Sequence, residues 1–190
     1  MTTPILQVII ASVRPGRIGS SIADWFIPLA EAQGSFTVER VDLKEMALPL
    51  MDEPHHPRLR KYEHEHTKRW SATIDRADAF VFVTPEYDFS PPASLINAIQ
   101  FLAQEWAYKP VGLLSYGGIS AGLRSANQLR IIASANSMMP LSEAVSIPLA
   151  GQLVNKETGQ FVPGETQDKA ATNLVKQLGR WSAALKTLRA

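Results

Sequence analysis

The sequence predicts an α/β fold in which a five-stranded parallel sheet lies between two layers of helices. Three observations predict it. Short, almost wholly apolar runs recur along the 190 residues. Longer segments with helical periodicity separate them. The composition, 45% hydrophobic and 19% charged, is that of an ordinary globular domain with enough chain to bury a core. Apolar runs that alternate with helices mark strands buried on both faces of a parallel sheet.

The first strand is 5–11, "ILQVIIA". Residues 36–42, "FTVERVD", alternate as a strand near an edge does. Residues 79–84, "AFVFVT", and 111–116, "VGLLSY", are nearly all apolar, and 143–147, "EAVSI", make a weaker fifth strand. In 19–33, Ile22, Trp25, Phe26 and Leu29 form one apolar stripe. Pro28 falls inside that helix. An internal proline removes a backbone hydrogen bond at roughly 3 kcal/mol, so a kink or an early end is expected. A charged helix is expected over 58–76. A third covers 92–105, whose leading prolines suit a first helical turn. Further helices cover 121–137 and 165–188, the last with Leu174, Leu178, Trp181 and Leu185 on one face. Five strands alternating with five helices fit a flavodoxin-like three-layer sandwich. Its strand order is 2-1-3-4-5, and residues 1–190 form a single domain.

The formal charge of +1 gives no field that favours nucleic acid or an anionic membrane. There are no cysteines, which excludes disulfides, thiolate catalysis and Cys-ligated zinc or iron–sulfur clusters. That composition fits a reducing compartment, and a cytoplasmic location is expected. The N-terminus reads as a first strand and not as a signal peptide. No run of eighteen apolar residues suggests a membrane span. His55, His56, His64 and His66 lie among acids. Residues two apart on a helix do not face each other, so His64 and His66 are expected on a solvated face and not around a metal.

In doubly wound sheets the ligand sits outside the C-terminal strand ends. Three loops therefore matter: "SVRPGRIGSS", "TPEYDFSPP" and "SYGGISAG". The first places Ser12 and Arg14 past the strand, and Arg17, Ile18, Gly19 and Ser20 at a helix entry. Hydroxyls, guanidinium and free amides suit a phosphate monoester. The same residues also suit a plain Arg-Pro-Gly turn with a serine cap. The loop is neither GxGxxG nor GxxxxGK[ST], which argues against a dinucleotide fold and a P-loop. In the second loop Pro85 stops the strand and Tyr87 offers an aromatic face. Glu86 and Asp88 suit backbone hydrogen bonding better than paired carboxylate catalysis. In the third, Gly117, Gly118 and Gly122 permit close approach of backbone to a flat ring.

Together the three loops resemble the NAD(P)H-dependent FMN reductase family, whose flavodoxin-like members include quinone, azo-dye and chromate reductases. "ASVRPGRIG" is similar to the family's G-S-x-R-x-G-R-x-G. "PEYDFSPPASLINAIQ" is similar to P-E-Y-N-x-S-x-P followed by L-K-N-A-I-D. "SYGGISAG" with "NQLR" is similar to S-Y-G-G-x-x-A-G and its Q-L-R helix. The resemblance spans about residues 5–150. It implies FMN as cofactor and NADPH or NADH as electron donor. A quinone, free flavin or similar small acceptor would be reduced by a ping-pong route.

The resemblance also implies site residues. The FMN phosphate would bind Ser12, Arg14, Arg17, Ile18, Gly19 and Ser20. Pro85, Glu86, Tyr87 and Asp88 would line the ring and ribityl, largely through backbone. Ser115, Gly117 and Gly118 would meet the ring. No side chain is assigned a catalytic role. A homodimer or dimer of dimers is implied, with the helix at 92–105 at the interface. The chain departs from the pattern at Ala11 for glycine, Asp88 for asparagine, and Ile96 and Gln100 for lysine and aspartate. The last two put an inter-subunit ion pair there in doubt. An alternative reading is an FMN-binding electron carrier or a redox-regulatory protein without turnover.

Overall fold

The most apolar runs occupy the middle of the sheet. β3 (Ala79–Pro85) and β4 (Pro110–Tyr116) are buried at every residue. The structure, a computed structural model, describes residues 3–189. The other strands are β1 (Ile5–Ile10), β2 (Thr37–Asp42) and β5 (Met139–Ile147), and the parallel order is β2-β1-β3-β4-β5. The helices are α1 (Gly19–Ala32), α2 (Leu43–Met46), α3 (Glu65–Asp75), α4 (Ala93–Gln100), α5 (Leu123–Ala135) and α6 (Glu165–Leu185). The expected sandwich is the fold observed.

Period-two alternation divides each central strand between two cores. Leu6, Val8 and Ile10 face Ile22 and Phe26 of α1 and Leu174 and Leu178 of α6. Ile9 and Ala11 face Trp70 of α3, Leu95 of α4 and Leu129 of α5. The register sets Ile10 beside Asp42 on one side and beside Val83 on the other. The C-terminal ends of β1, β2, β3 and β4 therefore open at one edge of the molecule.

Several expectations about boundaries are corrected. α1 runs through Pro28 to Ala32 and does not end early. Pro28 and Asp24, four residues before it, are both exposed, so water can satisfy the carbonyl that loses its partner. The buried stripe of α6 is Ala171, Leu174, Val175, Leu178 and Ser182; Trp181 lies to its side, 37% exposed, and Leu185 is only partly buried. The helix expected over 58–76 starts at Glu65: Pro57–Leu59 form a separate 3-10 turn that ends at Arg60 with φ of 50°, and the Glu53 carboxylate holds the amides of Glu63 and His64 ahead of the helix. The helix expected over 92–105 ends at Gln100, and a separate 3-10 turn follows at Gln104–Trp106.

The histidine expectation also changes. His64 is the extended N-cap of α3 and not a helical residue. Its ring stacks on that of His66, with centroids 5.2 Å apart and planes 11° apart. The helical rule for residues two apart does not hold across a cap.

At the opposite end of the sheet, Lys109 is 4% exposed just before β4. Its Nζ donates to the carbonyls of Ile74 and Asp75, at 2.9 and 2.8 Å, where α3 ends. Burial lowers its pKa to about 8.

Candidate functional site

The loop after β1 begins with Ser12, which is fully buried. Its Oγ shares a 2.8 Å hydrogen bond with the Tyr87 hydroxyl and also accepts from the Arg14 amide at 3.4 Å. The chain then enters α1 at Gly19. Ile18 is the N-cap and supplies no side-chain hydrogen bond to the first turn. The first amides of a 14-residue helix are thus left for another acceptor. Arg14 is exposed and makes no ion pair among the described residues. Arg17, by contrast, binds Asp42 through both terminal nitrogens, at 2.6 and 2.5 Å. Ser20 is turned aside, its Oγ 3.3 Å from Arg40 Nη2.

Pro85 is the last residue of β3, and the Glu86 amide continues the ladder by donating to the Tyr116 carbonyl at 3.2 Å. Tyr87 and Ser90 then close a hairpin turn, each amide donating to the other's carbonyl at 2.9 and 2.8 Å. The two residues between them, Asp88 and Phe89, have φ of 46° and 65°. Positive φ at both central positions is the pattern of a type I′ turn, where Asn, Asp and Gly are favoured. Asp88 is therefore explained by the backbone it must adopt. The amides of Glu86 and Tyr87 are used inside the protein, so of residues 86–88 only the Asp88 amide makes no hydrogen bond among the described residues.

α5 holds this turn from the side. Arg124 donates to Glu86 through its backbone amide at 3.1 Å and through Nη1 at 2.5 Å, and its guanidinium lies 4.0 Å from the centre of the Phe89 ring. Gln128 donates to the Phe89 carbonyl at 2.7 Å and accepts from Ser90 Oγ at 3.1 Å. Burial disfavours the charge on Glu86, but hydrogen bonds from Arg124 and Ser120 outweigh it and hold the carboxyl below its usual range.

Ser115, on β4, is 1% exposed and donates to the Ala121 carbonyl at 2.9 Å, so its hydroxyl shapes the third loop from within. Gly122 caps α5 with φ of 76°, and a Cβ there would lie 2.8 Å from the Tyr116 amide nitrogen. Gly118 faces open space, since a Cβ there would meet nothing within 4 Å. The carbonyls of Gly117 and Gly118 accept from Ala150 and Leu149 and bring in the loop after β5.

These loops enclose one cleft of about 240 Å³. Of the expected residues, Arg14, Arg17, Ile18, Pro85, Glu86, Tyr87 and Gly117 line it. Ser12, Gly19, Ser20, Asp88, Ser115 and Gly118 do not line it. Gly16, Tyr116, Ala150 and Gly151 line it as well, and sequence reasoning did not select them. Tyr116 is 5% exposed, and its hydroxyl abuts the start of α1: a Cβ on Gly19 would lie 2.7 Å from it. Burial pushes the Tyr116 phenol well above its usual range, Tyr87 adds to this and Arg17 opposes it. The group therefore stays protonated and can donate a hydrogen bond. The signal was in "SYGG", where the tyrosine ends a strand and its side chain points at the neighbouring loop.

The family model described as NADPH-dependent FMN reductase matches residues 5–152. An NAD(P)H-dependent FMN reductase of Schizosaccharomyces pombe is 40% identical over 150 residues, covering 77% of this chain and 74% of that one. An NADPH:quinone oxidoreductase of Arabidopsis thaliana is 42% identical over 62 residues, 31% of this chain and 32% of that one. Among solved structures, the flavoenzyme FerB, an NAD(P)H:(acceptor) oxidoreductase of Paracoccus denitrificans, superposes with a TM-score of 0.73 at 20% identity. It covers 95% of this chain and 98% of that one, which shows a shared fold.

Proposed function

The chain belongs to the NADPH-dependent FMN reductase family, and on that premise we propose that it holds FMN in this cleft, oxidises NAD(P)H and reduces a quinone or a similar small acceptor. One observation carries the placement. Ile18 at the uncapped start of α1, Arg14, which makes no ion pair among the described residues, Tyr87 and Tyr116 all line one cleft. That donor set fits a phosphate monoester.

The rest of the cleft fits a flat ring only in part. Its 240 Å³ falls below the roughly 300–1,000 Å³ of pockets that enclose a drug-sized ligand. The cleft would therefore cover such a ring only in part. Phe89, 63% exposed, and Ile119, 90% exposed, stand on the two loops that frame the mouth. An open face with apolar neighbours suits a nicotinamide and, after it leaves, a planar acceptor in the same space. That sharing supports a ping-pong order, and the quinone class is supported by the similarity to the plant enzyme.

Bound FMN supplies the hydride and electron transfer that no side chain here provides. The protein's residues bind and orient. Arg14 and the first amides of α1 hold the phosphate. Tyr116 keeps its proton and is free to donate a hydrogen bond into the cleft. The Glu86–Arg124 pair and Gln128 fix the Tyr87–Ser90 turn and with it the cleft wall at Glu86 and Tyr87. The face around α4 carries a groove of about 730 Å³ lined by Met51, Ile96, Ile99 and Ile132. We place a homodimer contact there. No described helix is long and apolar enough to cross a membrane, and a cytoplasmic setting suits a chain without cysteine.

Steady-state oxidation of NADPH and NADH by FMN-loaded protein, with benzoquinone as acceptor, tests the function. Turnover with parallel initial-velocity lines is expected. No turnover with either nucleotide sinks the proposal, and intersecting lines reject the ping-pong order.

A further inference from the structure

Two arginines stand in the loop after β1, and they are placed differently. Arg17 Nη1 donates to Asp42 Oδ1 and to the Ser12 carbonyl, both at 2.6 Å, while Nη2 donates to Asp42 Oδ2 at 2.5 Å. The Asp42 carboxylate is fully buried. Oδ1 also accepts from the Lys44 amide at 3.0 Å, and Oδ2 from Arg40 Nη1 at 3.3 Å. Its four acceptor positions are thus filled, and three of the five N–H donors of Arg17 are spent on protein oxygens. The β1–β2 register produces this contact, because Asp42 ends β2 directly beside Ile10, two residues before Ser12.

We propose that Asp42 is a positioning residue for the phosphate seat. It holds Arg17 as a strut, ties the Ser12 carbonyl and the entry to α1 to the end of β2, and leaves Arg14 as the cation that meets the phosphate. This rests on the FMN reading above. It differs from that expected of the loop's sequence, in which both arginines bind the ligand. The two assignments predict opposite signs. If Arg17 is a strut, removing the Asp42 charge releases the loop and weakens FMN. If Arg17 is a phosphate ligand, removing that charge frees a second cation and tightens FMN.

The test is flavin fluorescence quenching with apo protein, titrated with FMN and, separately, with riboflavin, which lacks the phosphate. Asp42→Asn is expected to weaken FMN about tenfold while riboflavin changes by less than about twofold. Asp42→Asn with Arg17→Gln is expected to be no weaker than Asp42→Asn alone, since both remove one strut. FMN binding that is unchanged or tighter in Asp42→Asn overturns the proposal, as do equal losses for both flavins or a double variant weaker than Asp42→Asn alone. Wild-type protein that does not bind FMN at all overturns the underlying reading instead. Should Asp42→Asn not fold, side-chain 15N spectra of the wild type decide. The guanidinium signals of Arg17 are expected to coincide in the riboflavin and FMN complexes while those of Arg14 differ; a shift of Arg17 specific to FMN overturns the proposal.

Discussion

The Tyr87 hydroxyl stands 2.8 Å from Ser12 Oγ and links the loop after β3 to the loop after β1. The ring lines the cleft while its polar tip reaches the loop after β1, which we propose seats the phosphate. Tyr87→Phe keeps the ring and removes the tip. It is expected to weaken FMN about tenfold, the size of one hydrogen bond to a charged group, and riboflavin by less. Fluorescence titration with both flavins measures the difference.

Gly19 and Tyr116 form a second relationship that mutation can separate. A Cβ at Gly19 would lie 2.7 Å from the Tyr116 hydroxyl oxygen but 3.5 Å from the ring carbon that bears it. Gly19→Ala is therefore expected to lose about 1–3 kcal/mol of stability through overpacking. Adding Tyr116→Phe removes the clashing oxygen and is expected to restore most of it. Urea unfolding of the two single variants and the double variant checks this; a double variant as weak as the sum of its parts counts against the assigned contact.

Much of the fold was legible because its signals are local. β3 and β4 read clearly since every residue is apolar or small and buried on both faces. β5 read short, because Pro140 and Ser142 break the apolar pattern of its half-exposed first residues. Three of the site's loops were legible as motifs at strand ends. What they do was less so. The Arg17–Asp42 pair joins residues 25 apart and depends on strand register. The clamp of Gln128 and Arg124 on the Tyr87–Ser90 turn depends on where α5 packs. Neither follows from the local pattern of charges.

Asp88 follows from backbone conformation. With φ of 46° it tests the turn directly. Asp88→Asn and Asp88→Gly are expected to leave stability within about 0.5 kcal/mol, since all three residues accept positive φ. Asp88→Val is expected to cost about 1–2 kcal/mol, because a β-branched side chain clashes there. Thermal unfolding distinguishes the cases; a harmless valine means that the turn has another conformation.

Lys109 gives the chain a pH dependence far from the cleft. Its pKa in the folded protein is about 8, against about 10.4 for an unfolded lysine. Between those values the unfolded chain binds more protons, so this group makes stability rise with pH. Lys109→Met lacks the titration. From pH 7 to pH 9.5 the wild type is expected to gain about 2 kcal/mol relative to that variant. Denaturant unfolding at both pH values reads it out, and a constant difference would mean that Lys109 titrates normally.

The most direct measurement is a titration of the apo protein with FMN, followed by flavin fluorescence and visible absorption. The account predicts saturable quenching at one flavin per chain, shifted absorption bands, and riboflavin binding weaker by about a hundredfold for want of the phosphate, a difference of about 3 kcal/mol. FMN that keeps its full free fluorescence in excess protein would contradict it.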